Sequence, residues 1–362
     1  MKRIAKSTRD RLNNNIKGVL AIFIVLFAAI IVYLGYSVIS FGEEWSQTPY
    51  NPRIQKVIAD VTRGDILDVN GVKLAWSQSA DSDRSYVKSA LTRKVMSHVL
   101  GDTSGMSVGA ESVFTKYLYG INDGSAEAGA KKGNDITLTT DSALMEYIYN
   151  NFNDMRGCAV VMNYKTGEIL ANVALPAFDP STVTKDTLDD GALLDRAVMG
   201  RYPPGSTMKT VTATAAVEEG LDITYTCKGK DIIDGQKVTC VSAHGKLDLA
   251  GAVEHSCNCY FAQLSVKLGS KKLKETAEKF GFNTQWDFSD IALYKSNFEV
   301  SNSDGDLAWA GIGQYNDLVT PMHACMIAGA IANDGQMMTP KLLYRSTNED
   351  GIQTYSLKSE VY

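Results

Sequence analysis

Tyr202-Pro203-Pro204-Gly205-Ser206-Thr207-Met208-Lys209 sets a serine and a lysine three residues apart where a helix is about to begin. Pro203 and Pro204 stiffen the approach, and Gly205 permits a tight turn. Residues 210–219 contain no Pro or Gly, and Gly220 comes next as a stop signal. On a helix, positions i and i+3 share a face, so the Lys209 amine is predicted to reach the Ser206 hydroxyl. An unprotonated lysine there can take the serine proton, and a helix N-terminus favours negative charge developing on the oxygen. The pair is therefore a candidate nucleophile and base. The competing reading is an N-cap serine followed by a solvated lysine.

A second Ser-x-x-Lys, Ser85-Tyr86-Val87-Lys88, has nothing around it to suggest a site. Ser206 differs in its downstream context. Ser256-Cys257-Asn258 supplies the Ser-x-Asn element that accompanies Ser-x-x-Lys in penicillin-recognising enzymes. Cys257 is expected to face away from its two neighbours and to serve packing. A further Ser-x-Asn, Ser346-Thr347-Asn348, lies in a polar, turn-like stretch and is read as a decoy.

Outward from this centre, the chain begins with a basic tail. Lys2, Arg3, Lys6, Arg9, Arg11 and Lys17 stand against the single acid Asp10 in residues 1–18. An almost unbroken apolar run over 19–39 comes next, long enough to cross a bilayer as a helix. It exceeds a usual signal-peptide core, and no small-x-small cleavage site lies beyond it. The basic flank predicts a cytoplasmic N-terminus with the rest of the chain outside the cell membrane. The formal net charge is −5, so the part beyond the basic tail is more acidic still, a poor match for nucleic acid.

Six cysteines are present. Cys227 and Cys240 flank an expected hairpin over 228–239 around Asp234-Gly235. They are either a disulfide, which the outer face of a membrane permits, or two reduced, partly buried thiols. No metal site is expected. Cys257 and Cys259 have no second Cys or His pair at zinc-like spacing, and His244, His255 and His323 are scattered along the sequence.

Residues 40–56 read as a polar linker, 56–76 as a strand pair turning at Asn70-Gly71, and 85–100 and 112–118 as helices. Residues 120–133 are rich in Gly, Ala and Ser. This gives a cytoplasmic tail (1–18), a transmembrane anchor (19–39), an N-terminal pedestal (40–133) and a second unit (134–362). That unit opens with a strand at 135–140 and a helix capped by Asp141. Strands come at 158–164 and 168–174 about Lys165-Thr166-Gly167. Later come helices at 248–255, 259–268 and 270–280, one opening at Thr320-Pro321, and a last strand pair at 341–345 and 352–357. Strands at the ends with helices between predict an α+β fold.

Several segments carry a resemblance. RAVMGRYPPGSTMKT (196–210), Ser256-Cys257-Asn258 and GIGQYNDLVTPMHACMIAGAIANDG (311–335) together resemble a class B penicillin-binding protein. TRGDILDVNGVKLA (62–75) resembles that family's segment beyond the membrane anchor, and GCAVVMNYKTGEILANVALPAFDP (157–180) its opening transpeptidase strands. The short N-terminal module looks like the compact PbpA type. The resemblance implies a penicillin-binding-protein/β-lactamase-like domain, a helical cluster against an antiparallel sheet. It further implies D,D-transpeptidation of peptidoglycan stem peptides and covalent capture of β-lactams at Ser206. Lys209 would be the base, Ser256 a proton relay and Asn258 a substrate-amide ligand. No cofactor is implied. A membrane-embedded glycan polymerase of the SEDS type is the implied partner. The family's third element, Lys-Ser/Thr-Gly, comes after Ser-x-Asn, whereas the match here, Lys165-Thr166-Gly167, precedes Ser206. The sequence thus reads as a transpeptidase truncated before that element. The rival readings are a non-catalytic anchored scaffold or gene remnant, and a β-lactam sensor or β-lactamase.

Overall fold

The computed structural model describes residues 2–46, 52–126, 129–153, 155–184, 191–300 and 303–362. Helix α1 (Lys2–Ser46) contains the expected anchor. Its stretch Asn15–Ser40, of hydropathy 2.8, is long and apolar enough to cross a membrane, and the large apolar side chains along it are exposed. The expected linker over 40–56 is helical where it is described: α1 runs to Ser46 and α2 spans Pro52–Ile58. Pro52 fits there because a first-turn residue needs no N–H partner. Residues 47–51 of that linker lie outside the described residues.

Strands β1 (Ile66–Leu67) and β2 (Lys73–Trp76) form the expected antiparallel pair, shorter than its predicted span. The Asp68 carboxylate accepts the Asn70 and Val72 N–H groups across the turn (3.0 and 2.8 Å). Gly71 takes φ +83°, where a side chain is strained. Strand β3 (Ser85–Tyr86) adds to β2, so the decoy Ser85/Lys88 pair begins in a sheet and shares no helix face. The helix expected over 85–100 is instead that strand plus α3 (Ala90–Val95) and α4 (Ser97–Leu100). The free β2 edge captures residues 85–86, and the Ser89 hydroxyl caps α3 by accepting the Thr92 N–H. Helices α5 (Ala110–Val113) and α6 (Thr115–Leu118) come next.

Strand β4 (Asp135–Leu138) leads to α7 (Ser142–Asn150), capped by Asp141 as expected. Strands β5 (Gly157–Met162) and β6 (Ile169–Leu175) make the predicted hairpin. A 3-10 turn at Gly205–Thr207 feeds α8 (Met208–Glu218). Strand β7 (Tyr225–Cys227) is followed by β8 (Lys230–Ile233) and β9 (Gln236–Thr239). β8 and β9 pair across Asp234-Gly235, both at positive φ, as a two-residue hairpin turn with the right twist requires. Strand β10 (Gly245–Leu247) returns to pair with β7 and leads into α9 (Leu249–Glu254). Helix α10 (Asn258–Lys279) breaks at Gly269 (φ +78°), so it is the two predicted helices laid end to end. Helices α11 (Asp304–Ala310) and α12 (Pro321–Ala332), then β11 (Leu343–Thr347) and β12 (Gln353–Ser356), complete the chain.

The last strand pair does not stand alone. One six-stranded sheet runs β12-β11-β4-β1-β2-β3, taking strands from both sides of residues 133/134. A large apolar core runs from Ile66 and Leu74 through Val211 to Met326 and Leu343. A second, smaller core gathers Val238, Cys257, Tyr260 and Phe261 between α10 and the β7–β10 ribbons. Helix α8 contributes to both, which fixes its N-terminus at their junction.

Candidate active site

The turn that begins α8 is clamped before the helix starts. Tyr202 and Val319 exchange backbone hydrogen bonds (3.0 and 2.8 Å), and the Gly205 N–H donates to the Gly313 carbonyl (2.8 Å). Gly205 sits at φ +56°, which the L side chain of any other residue resists. Gly313 is tighter. At φ +76°, a Cβ there would stand 2.1 Å from the Gly205 carbonyl oxygen. Gly313→Ala is therefore expected to push the Ser206 turn out of place. A displacement of an ångström at a reacting atom costs about 10² in rate. The expected result is acylation of Ser206 by a fluorescent penicillin slowed by about that factor, with circular dichroism unchanged. Wild-type labelling would show the clamp to be dispensable.

Ser206 is exposed and Lys209 is 4 % exposed. The predicted i, i+3 geometry holds: Lys209 Nζ lies 3.1 Å from Ser206 Oγ. Ser256 closes α9 in a left-handed conformation (φ +47°), and Cys257 caps α10, its Sγ accepting the Tyr260 N–H. This corner turns the Ser256 carbonyl and hydroxyl toward Lys209 (2.7 and 2.9 Å). Ser256 Oγ is also 3.1 Å from Ser206 Oγ. The Asn258 side chain donates to the Thr239 carbonyl (2.8 Å), which orients its Oδ1 toward Lys209 Nζ in a short contact. All four expected side chains converge.

Donor counting then constrains the lysine. The Ser256 carbonyl and Asn258 Oδ1 only accept, so together they take two N–H bonds of Lys209. A neutral amine has two N–H bonds and one lone pair. That lone pair is left for the hydroxyls of Ser206 and Ser256, which can donate. Burial lowers the Lys209 pKa from the ordinary lysine value, against an opposing pull from Cys240, Cys257 and Cys259.

The decoys fall elsewhere. Ser346 and Thr347 lie in β11, with Asn348 at the turn beyond it. Lys165-Thr166-Gly167 forms the β5–β6 turn, where Gly167 exchanges backbone contacts with the 339–341 segment. His323 is structural. Its Nε2 donates to the Phe280 carbonyl (2.7 Å), Nδ1 faces the Ser296 hydroxyl (2.8 Å), and burial holds its pKa at about 4.

Cys257 faces inward as expected, but its neighbours are thiols. Cys240 Sγ lies 3.8 Å from Cys227 Sγ, 3.8 Å from Cys257 Sγ and 3.5 Å from Cys259 Sγ. All four cysteines are free thiols. Cys227, Cys240, Cys257 and His244 bring their ligand atoms within 4.8 Å of one another, a grouping able to hold a metal ion. Sequence spacing hid it, because the hairpin β8–β9 separates Cys227 from Cys240 and the short helix α9 separates His244 from Cys257. The signal that was present is Cys240-x-x-x-His244 upstream of Cys257-x-Cys259.

Residues 157–360 match the family described as penicillin binding protein transpeptidase domain. The peptidoglycan D,D-transpeptidase PbpA of Mycolicibacterium smegmatis is 27% identical over 333 residues, covering 81% of this chain and 68% of that protein. The peptidoglycan D,D-transpeptidase MrdA of Escherichia coli K12 is 30% identical over 259 residues, 63% of this chain and 40% of the relative. Among solved structures, the D,D-transpeptidase domain of a peptidoglycan glycosyltransferase from Eggerthella lenta superposes with a TM-score of 0.72 at 30% identity, covering 84% of this chain and 77% of that one. The family match spans more than half of the sequence and includes Ser206, Lys209, Ser256 and Asn258, so this chain belongs to the penicillin-binding protein transpeptidases.

Proposed function

We propose that this protein is a membrane-anchored serine D,D-transpeptidase that cross-links peptidoglycan stem peptides and is acylated by penicillin at Ser206. The observation that carries the reading is the convergence of the Ser206 hydroxyl, the Ser256 carbonyl and hydroxyl, and Asn258 Oδ1 on Lys209 Nζ; in its neutral form that amine has a lone pair to offer the Ser206 hydroxyl. Neutral Lys209 takes the Ser206 proton as Oγ bonds to the carbonyl carbon between the two D-alanines. The C–N bond breaks, and the terminal D-alanine leaves as an amine after receiving a proton through Ser256. An amine from a neighbouring strand then attacks the ester, and Ser206 recovers its proton. The Ser206 N–H, in the 3-10 turn that feeds α8, faces the developing oxyanion. Asn258 holds the donor's amide.

With α1 as the span and the basic tail inside, this chemistry acts at the outer face of the membrane. That position suits a membrane-embedded glycan polymerase of the SEDS type as the source of nascent strands. The test is release of D-alanine from a stem pentapeptide with an amine acceptor. Ser206→Ala is expected to abolish both release and penicillin labelling. Release that persists in Ser206→Ala would contradict the assignment.

A further inference from the structure

We propose that the cavity between helix α4 and strand β6 is a binding site for a small organic ammonium ion of two to four carbons. The cavity measures about 50 Å³ and takes its walls from both sides of residues 133/134. Helix α4 brings His98 and Val99, and Val108 lies just before α5. Strand β6 brings Ile169 and Asn172, and Asp195, Asp290 and Leu342 close the opposite wall. Ser206, Lys209, Ser256 and Asn258 do not line it.

The unsatisfied side-chain atoms on this wall are all acceptors. His98 is 3 % exposed, and its Nε2 donates to the Ala192 carbonyl (2.8 Å), a group that only accepts. Burial lowers the His98 pKa against the pull of Asp195, so the ring is neutral at pH 7 and Nδ1 carries a lone pair. That Nδ1 is buried without a hydrogen-bond partner. Asn172, 7 % exposed, gives an amide N–H to Asp195 (2.7 Å), and its Oδ1 is likewise buried and unpartnered. A buried acceptor left unpaired is costly, so each calls for a donor.

The charges point the same way. Asp195 and Asp290 are both buried. Asp195 accepts the Ala197 N–H (2.9 Å) besides the Asn172 amide. Asp290 accepts the Leu342 and Leu343 N–H groups (2.8 and 2.9 Å) and the Ser289 hydroxyl (2.7 Å). No lysine or arginine lines the cavity. The adjacent Arg196 turns its guanidinium to the Gly191 and Leu194 carbonyls (3.0 and 3.4 Å). Buried charges are ordinarily paired, and here the missing partner is a cation that also brings N–H donors. Volume sets its size. At about 10–15 Å³ for each water, the cavity takes about three to five heavy atoms. Val99, Val108, Ile169 and Leu342 suit its carbons.

Propylammonium is the probe, with propanol and propionate as neutral and anionic molecules of similar size. Saturation-transfer NMR on the full-length protein in detergent should show propylammonium bound and the other two free, with detergent alone as the blank. Propylammonium should raise the melting temperature by about 2 °C at saturation, and propanol should leave it unchanged. Val108 lines the cavity and is 53 % exposed, so Val108→Trp should close the entrance, keep the circular dichroism of wild type and lose the shift. Asp195→Asn should weaken binding at least about tenfold. The wild-type comparison of the three probes needs no variant, so misfolding cannot hide the answer. Propanol binding as well as propylammonium, a cavity that takes water alone, or a shift that survives in folded Val108→Trp would overturn the proposal. None of these readouts involves Ser206, so failure of this site and failure of the transpeptidase reading are separable.

Discussion

Replacing Lys209 with methionine is expected to slow acylation of Ser206 by penicillin roughly 10²–10⁴-fold, the range that a positioned general base contributes. Methionine keeps most of the stem's volume, so the second core and the α8 N-terminus should persist. Lys209→Arg should be as inactive, because a guanidinium does not give up its proton. The pH profile carries the sign. Only the neutral amine accepts the Ser206 proton, so labelling should rise with pH and level off above the Lys209 pKa. Burial sets that pKa below the ordinary lysine value, so the plateau should begin at a lower pH than a free amine would give. Timed labelling with fluorescent penicillin across the pH range reads both effects. An active Lys209→Arg would remove the lysine from the role of base.

The largest expected loss of stability lies away from the site. The Glu111 side chain is 1 % exposed and pairs with Arg84 (2.8 Å, side chain 3 % exposed) and Arg63 (3.2 Å, 17 %). Glu111→Ala leaves the Arg84 guanidinium buried without its counter-charge. Breaking a buried pair in this way costs about 3–5 kcal/mol. In a protein of this size the melting temperature should fall by about 5 °C. Lys271→Ala is the control. Its partner Glu275 is 3.9 Å away and both side chains are open to solvent, so the change should stay within about 0.5 kcal/mol. A Glu111→Ala melting point within a degree or two of wild type would show that Arg84 finds other partners.

The parts of the fold that were legible in the sequence are those whose causes are local. Ser206 and Lys209 meet because a helix brings i and i+3 together, and Asp234-Gly235 turns because both residues tolerate positive φ. Asp141 and Thr320 cap helices from within three residues. The misread stretches depend on distant partners. Residues 85–86 became a strand because β2 offered an edge, and β11, whose pairing with β12 was expected, also joins β4 from some two hundred residues earlier, which was not. The segment 62–75 was legible as a strand pair and as a resemblance, and the structure supplies the tertiary reasons for its other residues. Arg63 meets Glu111, a Cβ on Gly64 would stand 1.9 Å from the Asn134 carbonyl oxygen, and Asp68 braces its own turn and accepts the Ser142 hydroxyl. Convergence of Ser256 and Asn258 on Lys209 is likewise a tertiary fact, since the corner that presents them rests on Cys257 and Thr239. The thiol–imidazole group stayed hidden for the same reason: Cys240 and His244 are only half of it, and the fold brings in Cys227 and Cys257 from either side.

Peptide mapping of the penicillin adduct tests the central claim most directly. The protein carrying this sequence is incubated with penicillin, digested with trypsin and analysed by mass spectrometry. Arg201 and Lys209 bracket the tryptic peptide 202–209, in which Ser206 and Thr207 are the hydroxyl side chains besides the Tyr202 phenol. One penicilloyl group per chain, located on Ser206 and absent from Ser206→Ala, is the predicted result. An adduct on any other residue, or a Ser206→Ala protein that labels like wild type, would contradict the assignment of Ser206 as the nucleophile.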